Sequence, residues 1–206
     1  MKRPTDEAEQ AERHRAKMAK RKQVQDAEVA EKRLEKGLLI VHTGAGKGKS
    51  TAAFGLALRM LGHGRRVGVV QFIKGAWTTG ERAALAAFGD RIAWYTLGEG
   101  FTWETQDLAR DRAAAQRAWT QALALMADAS FALVILDELN IALRYDYLDL
   151  SEVLQALSAR RPDLHVVVTG RNAKPSLLAA ADLVTEMTVV KHHFAAGVKA
   201  QSGIEF

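Results

Sequence analysis

The sequence contains no cysteine. That excludes a disulfide scaffold, a thiol nucleophile, and any zinc or iron–sulfur centre built on thiolates. No uninterrupted apolar run reaches the ~18–20 residues needed to cross a bilayer. The charged N-terminal stretch lacks the apolar centre of a secretory signal, so the cytoplasm is the expected location and no membrane partner is expected. Internal repeats and low-complexity tracts are absent too. Charge of one sign is in short supply: 29 Lys and Arg against 24 Asp and Glu leave only +5. A basic groove for phosphates accounts for that excess as well as nucleic acid does. What is present is ordinary globular composition, 48% hydrophobic and 26% charged, in 206 residues. That length suits one domain with an appendage.

Residues 1–36 form the appendage. They hold 11 Lys and Arg and 8 Asp and Glu, with no aromatic residue. Val24, Ala27, Ala30 and Leu34 make a thin apolar stripe at near-helical spacing. The stretch reads as a charged helix or a disordered tail, unable to make a core alone.

Residues 37–206 read as one α/β domain, in which apolar strands alternate with helical segments; the loop described below makes it a nucleotide-binding domain. Strands are expected at Leu38–Val41, Val67–Phe72, Ile92–Leu97, Phe131–Leu136, His165–Thr169 and Leu183–Val190. Helices are expected at Ser50–Leu61, Glu81–Phe88, Thr105–Ala127, Leu150–Ala159 and Pro175–Ala181. Strands without polar alternation imply a mostly parallel sheet with helices on both faces; with the phosphate loop described next, the expected fold class is α/β of the P-loop, RecA-like kind.

The strongest motif is Thr43-Gly44-Ala45-Gly46-Lys47-Gly48-Lys49-Ser50-Thr51, which follows an apolar strand and opens a helix. Gly44, Gly46 and Gly48 permit backbone conformations closed to other residues, so that successive amides can turn inward on a phosphate. The helix that follows aims its free N–H groups at the same anion. Lys49 adds a full charge, and the Ser50 hydroxyl is a ligand type for Mg²⁺. In one respect the loop departs from the usual pattern: Thr43 stands at the first glycine position and glycine comes one residue later.

A second motif, Leu133-Val134-Ile135-Leu136-Asp137-Glu138, ends an apolar strand in two carboxylates. At the C-terminal edge of a parallel sheet, such carboxylates lie near the phosphate loop and can hold Mg²⁺ directly or through water. A third segment, Gly98 to Thr105, places Phe101 and Trp103 before a helix that Thr105 is suited to cap. These aromatics serve either as packing or as a lid for a large flat ligand. Arg171 and Lys74 stand at strand ends where a phosphate contact and a surface ion pair are both open to them. His42 reads as packing, and Lys191-His192-His193 as a solvated loop rather than a metal site.

Several stretches recur together, in order, in one family. They are Gly44–Thr51 with Ala52-Ala53-Phe54-Gly55, Val69-Val70-Gln71-Phe72-Ile73-Lys74-Gly75, Gly100-Phe101-Thr102-Trp103-Glu104-Thr105, Leu136-Asp137-Glu138-Leu139, Tyr145-Asp146-Tyr147-Leu148 and Gly197-Val198-Lys199-Ala200-Gln201. With them, residues 37–206 resemble the P-loop type of corrinoid adenosyltransferase, which acts on cob(I)alamin or cob(I)yrinic acid a,c-diamide. The resemblance implies transfer of the 5′-deoxyadenosyl group of ATP to cobalt(I), with release of triphosphate, in adenosylcobalamin biosynthesis or salvage. It implies that ATP lies reversed in the loop, its terminal phosphate where a β-phosphate usually sits.

By the same resemblance Gly44, Ala45, Gly46, Lys47, Gly48, Lys49 and Ser50 hold the triphosphate. Lys49 offsets leaving-group charge, Ser50 and Glu138 ligate Mg²⁺, Asp137 lies behind them, and Phe101 and Trp103 cover the lower face of the corrin. A reduced flavoprotein donor and a homodimer are also implied. A RecA-like, ATP-dependent nucleic-acid-binding ATPase is the alternative, distinguished by salt-sensitive polymer binding and polymer-stimulated hydrolysis.

Overall fold

The computed structural model describes residues 4–73, 79–98 and 107–205. The chain divides into two compact units, Met1–Glu35 and Lys36–Phe206.

In the first unit, helix α1 spans Pro4–Ala30. Its 27 residues extend to ~40 Å at the helical rise. Asp6 and Glu7 sit in the first turn, where carboxylates oppose the positive helix end. The exposed Arg13–Glu9 pair links successive turns. Val24 and Val29 remain 62% and 63% exposed, so this helix has little apolar burial within its own unit.

The second unit is built on β1 (Leu39–Thr43), α2 (Lys49–Gly62), β2 (Arg66–Gln71), α3 (Gly80–Leu85), β3 (Ile92–Thr96), α4 (Leu108–Ala127), β4 (Phe131–Asp137), α5 (Leu139–Arg144), α6 (Leu150–Ser158), β5 (His165–Thr169), α7 (Pro175–Ala180) and β6 (Leu183–Glu186). Short 3₁₀ turns occupy Ala86–Arg91 and His193–Ala196. The six strands form one sheet in the order β3-β2-β4-β5-β1-β6. Every pairing is parallel. This is the P-loop-type α/β architecture expected from the alternating strands and helices.

Successive strand residues point to opposite faces, and here both faces are apolar because both are covered. Leu39, Val41, Val70, Val134, Leu136, Val166 and Val168 join one core layer, with Ala115, Ala118, Trp119, Ala122 and Leu125 of α4. Ile40, Val67, Val69, Leu133, Ile135 and Val167 join the other, with Ala53, Phe54, Ala57 and Leu61 of α2. The alanine row of α4 brings that helix close to the sheet. A Cβ at Gly68 would lie 2.9 Å from Leu125 Cδ1, so the glycine makes room for α4.

Beyond shifts of one or two residues, the elements differ from expectation at four places. The helix expected over Glu81–Phe88 spans Gly80–Leu85 and gives way to a 3₁₀ segment. The helix expected from Thr105 begins at Leu108 and is capped by Asp107, whose carboxylate accepts the Arg110 N–H at 3.1 Å. Thr105 itself lies outside the described residues. The last strand ends at Glu186, because the chain leaves the sheet to run along the phosphate loop. Helix α5, unforeseen in the sequence, follows β4 directly. Its cap is Glu138 in the left-handed region (φ 63°), a turn that hydropathy does not signal.

Candidate functional site

Because all six strands run in parallel, their C-terminal ends gather at one edge of the sheet. On the face covered by α2, strand register lines up one polar residue from each strand. Thr96 stands opposite Gln71, Gln71 opposite Asp137, and His42 opposite both Thr169 and Thr185. A hydrogen bond from Thr169 Oγ1 to Asp137 Oδ1, 2.8 Å long, joins the two halves of this row. An otherwise apolar sheet therefore ends in a polar rim directly beneath the phosphate loop.

The loop is formed by two kinds of glycine. Gly44 (φ 96°) and Gly48 (φ 104°) occupy the left-handed region, where a side chain is disfavoured. Gly46 instead provides space, since a Cβ there would meet the Met187 and Thr188 carbonyls. Its N–H donates to the Met187 carbonyl at 2.6 Å, and the Met187 N–H donates to the Thr43 carbonyl at 2.9 Å. The segment after β6 thus braces the loop from outside. Thr43 holds the other flank, its Oγ1 accepting the Ala173 N–H at 3.1 Å. His42 supports the helix start from below, with Nδ1 3.2 Å from the Lys49 carbonyl.

Positive charge converges on this loop. Lys49 is buried, and its Nζ donates to the Gly46 carbonyl at 2.5 Å. Burial lowers its pKa below the ordinary lysine value; the Glu138 carboxylate opposes that shift, while Arg171 and Lys47 reinforce it. Lys47, half exposed, is also lowered, by the partial burial of its side chain and then by Arg171. Lys47 pairs with Glu205, whose second oxygen lies 3.1 Å from His193 Nε2. Two lysines and a neighbouring arginine give the loop a local excess of positive charge, the field that suits an anion.

Beside the cations lies a saturated carboxylate. Asp137 is fully buried. Its Oδ1 accepts the Ser50 hydroxyl at 2.7 Å and the Thr169 hydroxyl at 2.8 Å, and its Oδ2 accepts the Gln71 amide at 2.9 Å. Thr169 Oγ1 in turn accepts the Glu138 N–H at 3.0 Å, which holds Glu138 in its strained turn. The Glu138 carboxylate lies against Gly170, where a Cβ would stand 3.0 Å from Oε2.

This donor set fits Mg²⁺. The cation prefers hard oxygen ligands and keeps places for substrate phosphates and water. The Ser50 hydroxyl donates its hydrogen bond to Asp137, so its oxygen lone pairs stay available. Glu138 supplies a carboxylate on the Lys49 side. Among the described residues no cluster of three or more His, Asp and Glu side chains forms an all-protein metal cage. His192 and His193 stack on each other, and His192 Nδ1 accepts the Phe194 N–H at 3.2 Å.

The structure therefore brings Gly44, Gly46, Lys47, Gly48, Lys49, Ser50 and Glu138 to one edge and adds Arg171. Ala45, between Gly44 and Gly46 in the same loop, is exposed. Phe101, Trp103 and Lys74 lie outside the described residues. Sequence reasoning missed Gln71, Thr169, Met187 and Glu205. For Gln71 and Thr169 a signal exists: each is the polar last residue of a strand whose interior is apolar.

Comparison with known proteins bears on the chemistry. Residues 35–206 match the family model described as ATP:corrinoid adenosyltransferase BtuR/CobO/CobP. Residues 4–29 match a model of the cob(I)alamin adenosyltransferase N terminus. A corrinoid adenosyltransferase of Pseudomonas aeruginosa is 55% identical over 96% of this chain and 98% of its own length. One from a Sinorhizobium species is 57% identical over 94% and 92%, and one from Escherichia coli K12 is 48% identical over 95% and 98%. Identity of that extent, with the loop and carboxylates in place, means that the chain belongs to the ATP:corrinoid adenosyltransferase family.

Proposed function

We propose that the protein transfers the 5′-deoxyadenosyl group of ATP to cobalt(I) of a corrinoid. A Co–C5′ bond forms, the C5′–O bond breaks, its electron pair leaves with triphosphate, and cobalt is formally oxidised to the alkyl-cobalt(III) state. The observation that carries this reading is the convergence of Lys47, Lys49 and Arg171 on a glycine cradle beside Ser50 and Glu138, in a chain of this family.

The attacking atom belongs to the substrate, so the chain's task is to position and to stabilise charge. Gly44, Ala45, Gly46, Lys47, Gly48, Lys49 and Ser50 hold the triphosphate, with the terminal phosphate deepest and C5′ facing outward. Lys49, desolvated and next to the loop carbonyls, gains most from a polyanion and offsets charge on the departing group. Ser50 and Glu138 hold Mg²⁺, which neutralises further phosphate charge when bound; Asp137 orients Ser50. Phe101 and Trp103 cover the lower corrin face and displace the axial ligand, which eases reduction of cobalt(II). A reduced flavoprotein supplies the electron, the enzyme acts as a homodimer in the cytoplasm, and the N-terminal helix is an accessory arm.

The test is spectroscopic. Conversion of a cobalt(II) corrinoid to its adenosyl form in the presence of a reductant, followed by absorbance, should require ATP and Mg²⁺ and should stop in Trp103→Ala while ATP still binds. Conversion that is indifferent to ATP would contradict the proposal.

A further inference from the structure

Gln71 lies outside the phosphate loop and has no reacting partner, yet it is 2% exposed and makes three side-chain hydrogen bonds. Its Oε1 accepts the Trp94 indole N–H at 3.0 Å and the Thr96 hydroxyl at 2.9 Å. Its Nε2 donates to Asp137 Oδ2 at 2.9 Å. The indole nitrogen can only donate, so it fixes which end of the amide faces β3. The other end must then present N–H to Asp137. Asp137 receives there and again from Ser50 and Thr169. The indole proton thus sets the orientation of the Gln71 amide, and the Asp137 carboxylate, an acceptor, sets the direction of the Ser50 and Thr169 bonds.

The sheet makes this chain short and direct. Thr96, Gln71 and Asp137 are register neighbours on three adjacent strands, on the face that α2 covers. Trp94 also touches α2, its ring 4.9 Å from that of Phe54, one helical turn beyond Ser50. Strand β3 leads onward in sequence to Phe101 and Trp103.

We propose that Gln71 is a positioning residue. It sets the polarity of a relay from Trp94 to Ser50 and so tunes the Mg²⁺-dependent part of ATP binding. A ligand on Ser50 draws on its lone pairs, strengthens its hydrogen bond to Asp137, and is felt along the relay at the Trp94 indole. This rests on the nucleotide and magnesium reading above.

The experiment uses the full chain with ¹⁵N-labelled tryptophan. The Trp94 indole resonance is assigned by its loss in Trp94→Phe. Adding Mg²⁺ to the ATP complex should shift that resonance in the wild type and leave it in place in Gln71→Met, which retains volume but neither donor nor acceptor. In Gln71→Met the gain in ATP affinity on adding Mg²⁺ should shrink about tenfold, as for a lost hydrogen bond to a charged group. Affinity measured in EDTA should stay within about twofold, because the loop is untouched. Should Gln71→Met fail to fold, Trp94→Phe/Thr96→Val keeps Gln71 but removes both donors that orient it, and its Mg²⁺-dependent gain should fall about threefold. An indole shift equal in wild type and Gln71→Met, or an unchanged Mg²⁺ dependence in the variants, would overturn the relay while leaving the function standing. A wild-type chain that binds no ATP with Mg²⁺ would overturn both.

Discussion

The phosphate loop is held on its two flanks by different physics. The inner flank is Ser50, Asp137, Gln71 and Thr169: buried or nearly so, and joined by short, directional hydrogen bonds. The outer flank is the Lys47–Glu205 ion pair with His193 beside it, open to solvent on the lysine side. Buried hydrogen bonds are little screened and costly to leave half made, whereas an exposed ion pair contributes little and fades with salt. The inner flank should therefore fix geometry, and the outer flank should only adjust affinity.

The sharpest way to break that contrast is Asp137→Ala. It strands the donors of Ser50, Gln71 and Thr169 in the core, and should lower unfolding free energy by about 3 kcal/mol, read by denaturant titration. A loss below about 1 kcal/mol, the scale of an exposed pair, would erase the distinction. Next comes Lys49→Ala, which should leave stability nearly intact while slowing adenosylation about 100-fold, the scale of one lost charge-stabilising group.

Protonation sharpens the comparison further. Burial lowers the Lys49 pKa, so the unfolded chain binds the proton more tightly than the folded one. This penalty on the unliganded fold is present at neutral pH and disappears as pH rises through the folded-state value. A bound triphosphate reverses the sign by favouring the charged lysine. ATP affinity should accordingly fall as pH climbs towards the ordinary lysine value of 10.5. Calorimetry in buffers of different ionisation enthalpy should show proton uptake on binding at the alkaline end; proton release there would be the contrary result.

The smallest effect is expected at the outer flank. Glu205→Gln frees Lys47 and should tighten ATP about twofold to fivefold at low salt, with the difference gone near 0.5 M salt. A large, salt-independent change would mean that Glu205 belongs to the inner machinery.

The same contrast explains what was legible beforehand. The loop from Gly44 to Ser50 carries its chemistry in consecutive residues, so its place between β1 and α2 follows from one stretch of chain. The strands were visible because both sheet faces are apolar. The polar rim was not, because Gln71, Thr169 and His42 meet only through register between strands far apart in sequence. Gly46 shows a subtler gap. Its need for glycine comes from the passing backbone of Met187 and Thr188, which no local pattern contains. Helix α5 escaped notice because its start depends on Glu138 taking a left-handed turn held by Thr169.

The central claim is that bond cleavage occurs at carbon rather than phosphorus. Phosphorus NMR of the products decides it most directly, with ATP, Mg²⁺, and a reduced corrinoid supplied or withheld. Intact triphosphate formed in equal amount to the adenosylated corrinoid, and nothing released without corrinoid, is the predicted result. Orthophosphate or diphosphate appearing as the primary product, with no corrinoid needed, would contradict the account.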